Sequence, residues 1–381
     1  MVDVYSYKIN NYDEDLIYNF FEKTLTNLNL DIKNTDKIAI KVNALAPFDP
    51  SKGITTHPIV VKSLIKYLKK FTNNIYVGDN PATKGMIHTL KVNKTYDVIE
   101  EMGVNLINPD ESITIIDKNN TNTVATEFNV TKDFIECDYL FNLAKLKTHG
   151  LAYFTGCVKN LFGFIYGLNK ASYHLKYNNI GLFSECICDL YNNIHSNCKA
   201  KKIIHVMDGI LGLEGDGPGS KGVPTQANCL LLGLDPFAVD LVAINCAGLN
   251  PNRSFIHMVS QRRNIGCFDL KGINIIGNQL KDFDAKFEEP DTIKSIPALR
   301  LLEKFSIKRF FFERPKFNDN CVKCKECIKI CPAKALSLNK NNKVVVNKEK
   351  CIRCWCCQEV CPFKAIDKSK RPILGKIFFR G

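Results

Sequence analysis

Short apolar runs alternate with helix-period segments over residues 1–285 of this 381-residue chain. Residues 36–43, 74–79, 138–144, 202–208, 229–235 and 272–277 are short and nearly continuous in their apolar character, so they read as strands buried on both faces. Residues 57–68 and 96–102 repeat apolar positions at the helical period, and a further helix over 236–247 opens on Asp235-Pro236, with proline at its first position. Buried strands alternating with helices predict an α/β, doubly wound, mostly parallel sheet domain over residues 1–290. The polar, Thr-rich stretch 119–130 predicts a small hairpin insertion. A basic amphipathic linker is expected over 291–315, a small α+β module over 316–370, and an apolar, basic tail over 371–381 packed on that module.

The module carries the densest chemistry. Cys321-x2-Cys324-x2-Cys327-x3-Cys331-Pro332 is followed by Cys351-x2-Cys354-x2-Cys357-x3-Cys361-Pro362. Four thiolates at this spacing wrap a cubane iron–sulfur cluster; the first three share one tight loop, and the fourth opens the next helix and ligates the other cluster. Two [4Fe-4S] clusters are therefore expected. Cluster I falls to Cys321, Cys324, Cys327 and Cys361, and cluster II to Cys351, Cys354, Cys357 and Cys331. Cys356, between two ligands, should point away from iron. Zinc sites use ligands in two pairs, and a disulfide framework belongs with an export signal that residues 1–7 do not resemble. The segment resembles a bacterial-type ferredoxin with two clusters, which implies a ferredoxin-like two-cluster module.

Charge and composition narrow the setting. The chain has 17 cysteines, and most of the nine outside the ligand set sit in apolar stretches, as expected in a reducing, cytoplasmic compartment and an organism that avoids oxygen. No run approaches the roughly 18 apolar residues of a spanning helix. The net charge is +13, and residues 304–381 alone hold 20 Lys+Arg against 6 Asp+Glu, a net of +14. That excess either offsets cluster charge and aids solubility, or forms a docking face for an acidic electron donor or acceptor such as a ferredoxin or flavodoxin. No recognition motif for nucleic acid accompanies it.

In the larger domain, ligands are expected outside the carboxyl ends of the strands. Asp79, Asp208 and Asp235 each end a strand, either to converge on one crevice or to cap the following helix. Lys41 interrupts an apolar strand, Lys145 and Lys147 end another, and His149, Lys159, Lys170 and His174 follow. A lysine inside an apolar strand is costly unless its ammonium meets a carboxylate or a ligand. The expected site holds a small anionic substrate: Lys41, Lys145 and Lys159 bind or polarise it, His149 or Asp208 moves a proton, and Asp79 is the acid nearest Lys41. His57 reads equally as a helix-start residue. Gly217-x-Gly219-x-x-Gly222 formally matches a dinucleotide fingerprint, but a strand follows it where the fingerprint needs a helix, so a mobile active-site loop is expected.

Taken together, Gly53-Ile-Thr-Thr-His57-Pro58, Gly78-Asp-Asn-Pro81, the run 142–149, Val158-Lys-Asn-Leu-Phe-Gly163, Met207-Asp-Gly209, Gly215-Asp-Gly-Pro218 and Asp235-Pro-Phe-Ala-Val-Asp240 resemble the domain of unknown function 362 family, in its subgroup with an appended ferredoxin domain. The resemblance covers nearly all of residues 30–365. It implies an α/β domain beside a ferredoxin module and transfers no reaction. The leading reading is an iron–sulfur oxidoreductase that passes low-potential electrons to a substrate in the α/β crevice. Two alternatives stay open: an electron-carrier subunit whose α/β domain docks a partner enzyme, and a ligand- or metal-binding accessory protein with sensing clusters, in which His57, His149 and the strand-end acids hold a divalent ion. Anaerobically reconstituted protein should bind about eight irons and eight sulfides. Cys331→Ala should damage the cluster carried by the second run, and iron analysis with electron paramagnetic resonance distinguishes that from loss of the first.

Overall fold

A computed structural model describes residues 1–82, 85–119, 121, 123–167, 170–290 and 312–374. The strands of the larger domain are β1 (Val2–Lys8), β2 (Ile38–Lys41), β3 (Ile75–Gly78), β4 (Asn105–Leu106), β5 (Ser112–Ile116), β6 (Glu127–Thr131), β7 (Tyr139–His149), β8 (Tyr153–Thr155), β9 (Lys202–Glu214), β10 (Val223–Gly233) and β11 (Ile273–Gly277). Its helices are α1 (Glu14–Asn27), α2 (Pro58–Leu68), α3 (Met86–Val92), α4 (Thr95–Met102), α5 (Cys157–Asn160), α6 (Lys170–Lys176), α7 (Ile180–Asn197), α8 (Pro236–Cys246) and α9 (Phe255–Arg263). One nine-stranded sheet runs β11-β1-β10-β9-β7-β2-β3-β4, with β8 added to β7. Its centre is parallel, β9-β7-β2-β3-β4, while β10 runs antiparallel to both β9 and β1.

Because successive side chains on a strand face opposite ways, the sheet builds two cores. Ile38, Ile40, Phe141, Leu143 and Val206 meet Phe20, Phe21, Val61 and Leu64 of α1 and α2 on one face. Ala39 and Leu140 meet Phe183, Ile187 and Leu190 of α7 on the other, and Ala144, Met207 and Leu231 meet Val239 and Val242 of α8. This alternation decides where the buried lysines go. Lys41 has the parity of Ala39, whereas Lys145 and Asp208 have the parity of Phe141 and Val206, so the two lysines project from opposite faces.

The polar stretch expected to form a small hairpin belongs to one: β5 and β6 pair antiparallel, and the stretch includes most of β6 and the described residues that lead into it. Residues 291–311 of the expected linker and 375–381 of the expected tail lie outside the described residues. The small module pairs β12 (Pro315–Phe317) with β15 (Ile366–Lys368) and β13 (Leu336–Leu338) with β14 (Val344–Val346). Two short helices, α10 (Glu326–Ile330) and α11 (Cys356–Glu359), each end just before a Cys-Pro turn, so the third cysteine of each run lies on a helix and the fourth follows its end, not opening the next helix as expected. Among the described residues no helix is long and apolar enough to cross a membrane.

The glycine-rich loop after β9 corrects an expectation. It is held against the module and is not free to act as a moving lid. The Ser220 hydroxyl donates to the Cys361 carbonyl at 2.5 Å, Lys368 pairs with Asp216 at 2.6 Å, and Lys221 pairs with Asp367. A Cβ at Gly219 would fall 2.5 Å from the Glu359 carbonyl oxygen, so the absent side chain is what lets α11 approach. Gly219→Val should therefore loosen the module from the sheet domain while each retains its own fold. Hydrogen exchange should rise in residues 214–222 and 356–361 of that variant; unchanged protection there would refute the clamp.

Candidate functional site

The parallel strands β2, β3 and β7 end at a small crevice, about 90 Å³, which is closed on its far side by the small module. Lys41, Asp79, Lys147, Lys159, Asn160 and Lys170 come from the sheet domain; Ile330, Cys356, Glu359 and Val360 come from α10, α11 and the residue after it. The position is the one at which open α/β sheets hold ligands.

Lys41 sits on the crevice wall with all its donors spent. Its ammonium lies 2.7 Å from Asp79 Oδ1 and donates to the Val42 carbonyl at 2.7 Å and to Asn160 Oδ1 at 3.0 Å. Asp79 also accepts from the Ala44 and Asn80 amides, both at 2.7 Å. A Cβ on Gly163 would collide with this pair, which explains the glycine ending the Val158–Gly163 motif. Burial still pulls the Lys41 ammonium below its ordinary range, with the Asp79 charge opposing.

The second buried pair lies on the opposite face. Lys145 donates to Asp208 Oδ2 at 2.8 Å and to the Tyr12 hydroxyl at 2.7 Å, and that hydroxyl donates to Asp208 Oδ1 at 2.9 Å. Asp208 accepts from the His57 amide at 2.9 Å, and the Tyr12 and His57 rings stack with centroids 3.6 Å apart. His57 caps α2, its Nδ1 accepting from the Ile59 amide. Asp235 caps α8 by accepting from the Phe237 and Ala238 amides. So the structure brings Lys41, Asp79 and Lys159 to one wall, and separates Lys145, Asp208 and His57 from it. The three strand-end acids, expected to converge, go to three different tasks.

Lys147, Lys159 and Lys170 give the crevice its sign. The register between β7 and β9 slips between Lys145 and Lys147, and Lys147 opens onto the crevice. Its buried ammonium donates only to Asn43 Oδ1 and the Ile54 carbonyl, both at 2.7 Å, leaving one N–H unused. Burial holds it well below the usual lysine range, and the Lys159 and Lys145 charges add to that. Lys159, partly buried on α5, forms no hydrogen bond and no ion pair with any described residue. Its proton affinity is lowered by burial and partly restored by Glu359. Lys170 donates to the Asn80 carbonyl and is brought down to about 8 by burial.

Glu359 faces these lysines from α11. Burial raises its carboxyl, and Lys159 and Lys147 oppose that. Its Oε1 is buried without a hydrogen-bond partner and lies 3.4 Å from His149 Nε2, an equally unpartnered atom. His149 Nδ1 accepts from the Leu151 and Ala152 amides at 3.0 and 3.3 Å, which assigns the ring proton to Nε2. His149 thus stands behind Glu359, outside the crevice wall.

In the module, Cys321, Cys324, Cys327 and Cys361 line a single cavity. Cys331 keeps company with the other run: the Cys357 thiol is raised first by burial and then by Cys354, Cys351, Cys327 and Cys331, and Cys331 Sγ accepts from the Ala335 amide at 3.2 Å. Among the described residues no three His, Cys, Asp or Glu groups close on one metal ion. The thiols instead ring a space, as a polynuclear cluster requires. Cys356 is buried and turned to the crevice. Asn43, Asn160 and Glu359 are the site residues that sequence reasoning missed. Glu359 had a signal: it is one of six acids in residues 304–381 and sits between two ligand cysteines.

A mixed α/β domain whose strand ends meet a cysteine module of this spacing defines an iron–sulfur protein of ferredoxin type, and residues 320–365 match the 4Fe-4S dicluster domain. The chain belongs to the family of the domain of unknown function DUF362, matched over residues 38–245. A thylakoid-associated protein of Synechocystis sp. is 25% identical over 221 residues, 58% of this chain and 65% of that protein's length. Two solved structures resemble the chain faintly. One is a Thermotoga maritima protein (14% identity, 61% of this chain, 57% of that one, TM-score 0.38). The other is the lactate racemase apoprotein of Thermoanaerobacterium thermosaccharolyticum (16% identity, 54% and 51%, TM-score 0.33). Likeness at that level carries no argument about this chain.

The two buried pairs yield a stability test. Lys41→Met and Lys145→Met each strand a buried carboxylate and should cost about 3–5 kcal/mol. Replacing both members of a pair, as in Lys41→Met with Asp79→Leu, should recover part of that loss. Denaturant midpoints provide the measurement; a neutral Lys41→Met would show that its ammonium is not needed by Asp79.

Proposed function

We propose that the protein is an iron–sulfur oxidoreductase whose crevice binds a small anionic molecule between Lys147, Lys159 and Lys170 and the inner wall of the cysteine module. The observation that carries this reading is Lys159. An ammonium with no hydrogen bond or ion pair to any described residue faces a crevice walled by Cys356 and Glu359, on the helix that also bears Cys357. Glu359 offsets its charge only at a distance, and a cation without a contacting partner in a poorly solvated crevice is costly unless an anion answers it. On this reading, cluster I is held by Cys321, Cys324, Cys327 and Cys361, and cluster II by Cys351, Cys354, Cys357 and Cys331; when bound, the clusters supply single electrons at low potential. The chain's own residues orient the anion: Lys147 and Lys159 donate to it from the sheet side, Lys170 from α6, and Asn43 and Asn160 fix Lys147 and Lys41 so that neither collapses into the space. The sheet covered on both faces is read as a doubly wound scaffold for that site.

Three clustered lysines, their proton affinity lowered by burial and, for Lys147 and Lys170, also by Lys159, face a single opposing carboxylate. That favours an anion over a neutral molecule, because a bound anion restores their protonated state. A reducing, cytoplasmic setting in an organism that avoids oxygen fits the many free cysteines. In the accessory-protein alternative a divalent ion would sit among His57, His149 and the strand-end acids, but only Asp208 lies beside His57, while Asp79 is paired with Lys41 and Asp235 caps α8.

Lys159→Met should leave the melting temperature unchanged or raise it, because a costly charge is removed, while anion binding falls at least about tenfold. Titration calorimetry with a panel of small di- and tricarboxylates and phosphates checks both parent and variant. Binding should also weaken as pH rises through about 8, where Lys170 loses its proton. Equal affinity of parent and Lys159→Met for every anion bound would move the bet to the electron-carrier subunit.

A further inference from the structure

The two cysteine groups differ in depth. Cys354 and Cys356 lie against the crevice side of the module, where they pack with Ile330, Val360, Ala82 and Ala171. The group containing Cys321, Cys324 and Cys327 lies away from it, and Cys324 is exposed. Around Cys324 the chain breaks two ordinary surface habits. Val322 and Phe363, both lining the same cavity, are 56% and 43% exposed, a small apolar centre in water. Lys323, Lys325 and Lys364 surround them, all exposed, and form no ion pair with any described residue.

We propose that this face, Val322 and Phe363 rimmed by Lys323, Lys325 and Lys364, is the docking surface for a small acidic one-electron carrier protein, and that electrons cross the surface at Cys324. The proposal rests on the redox reading above and adds where the partner sits and which cysteine group it meets. An apolar centre with a charged rim is the anatomy of a small transient interface. The sign of the rim selects an acidic partner, because like charge repels a wrong one and opposite charge steers the right one. The placement also keeps the two occupants apart. A carrier at Cys324 meets the group that lines the outer cavity, whereas Cys356 and Glu359 line the crevice, so the partner and the crevice ligand engage different residues of the module.

The test uses the full-length protein loaded with clusters and an acidic two-cluster ferredoxin as probe. Lys323→Glu/Lys325→Glu/Lys364→Glu is compared with Lys340→Glu/Lys343→Glu/Lys348→Glu, which makes the same charge change at exposed positions lining neither the crevice nor the outer cavity. Calorimetry of oxidised partners and stopped-flow reduction are both followed against salt. For the first variant, affinity and second-order rate should fall about tenfold or more at low salt and approach the parent's at high salt. The control variant should lose much less, and iron content with dithionite reduction should stay at the parent's level in both. Equal losses in the two variants, or none in the first, would overturn the docking face while leaving the redox reading intact. A parent that takes up no iron would overturn the redox reading and this face with it.

Discussion

A lysine ammonium removed from water must find an oxygen, and the whole site is arranged around how that demand is met at the ends of β2 and β7. Lys41 and Lys145 each take a carboxylate at hydrogen-bond distance, and each pair then fixes a loop: Asp79 ties the segment after β2 to the turn after β3 through the Ala44 and Asn80 amides, and Asp208 ties down the start of α2. Such pairs add little net stability compared with apolar packing, but losing one partner is severe. Their contribution is geometric specificity. With Lys41 locked to Asp79 and Asn160, the neighbouring Lys147 and Lys159 are left facing the crevice without a carboxylate of their own.

Much of the architecture was legible in the amino-acid sequence because burial on both faces writes itself as short apolar runs. The strands at 36–43, 74–79 and 272–277 and the helices at 57–68 and 236–247 lie where their patterns placed them, within a few residues. β7 and β9 extend well beyond the apolar runs that announce them, through Lys145–His149 and Gly209–Glu214, since buried polar groups paired across strands look like loop in a linear pattern. The first strand and helix, Val2–Lys8 and Glu14–Asn27, alternate or mix polarity and gave no clear signal. The site was harder to read. Spacing could mark the eight cysteines, because their ligand set is local. The helix cap at Asp235 was already marked by the proline after it. Spacing could not say that Lys41 and Lys145 point to opposite faces, or that Glu359 would arrive from 200 residues away from Lys159. Those facts depend on strand parity and on how the module docks.

That docking turns on the loop after β9. Its glycines allow backbone-to-backbone approach at Glu359, and its charged members reach Asp367 and Lys368 on the last strand. A sequence that looks like a phosphate-binding turn is here a hinge plate between two folded units. Those two pairs use one base and one acid of the module, so they leave its basic excess undiminished, and Lys323, Lys325 and Lys364 remain exposed on the outer face.

Helix α11 has four residues, Cys356–Glu359, and serves two masters. One of its side chains belongs to the cysteine set and two others wall the crevice. A helix this short has little stability of its own, so its shape is set by what its ends are fastened to. On the proposed reading, cluster and anion share this one element, and reciprocity then links their equilibrium affinities. Iron supply would be a variable in the affinity of the crevice, and a filled crevice would tighten the hold on iron.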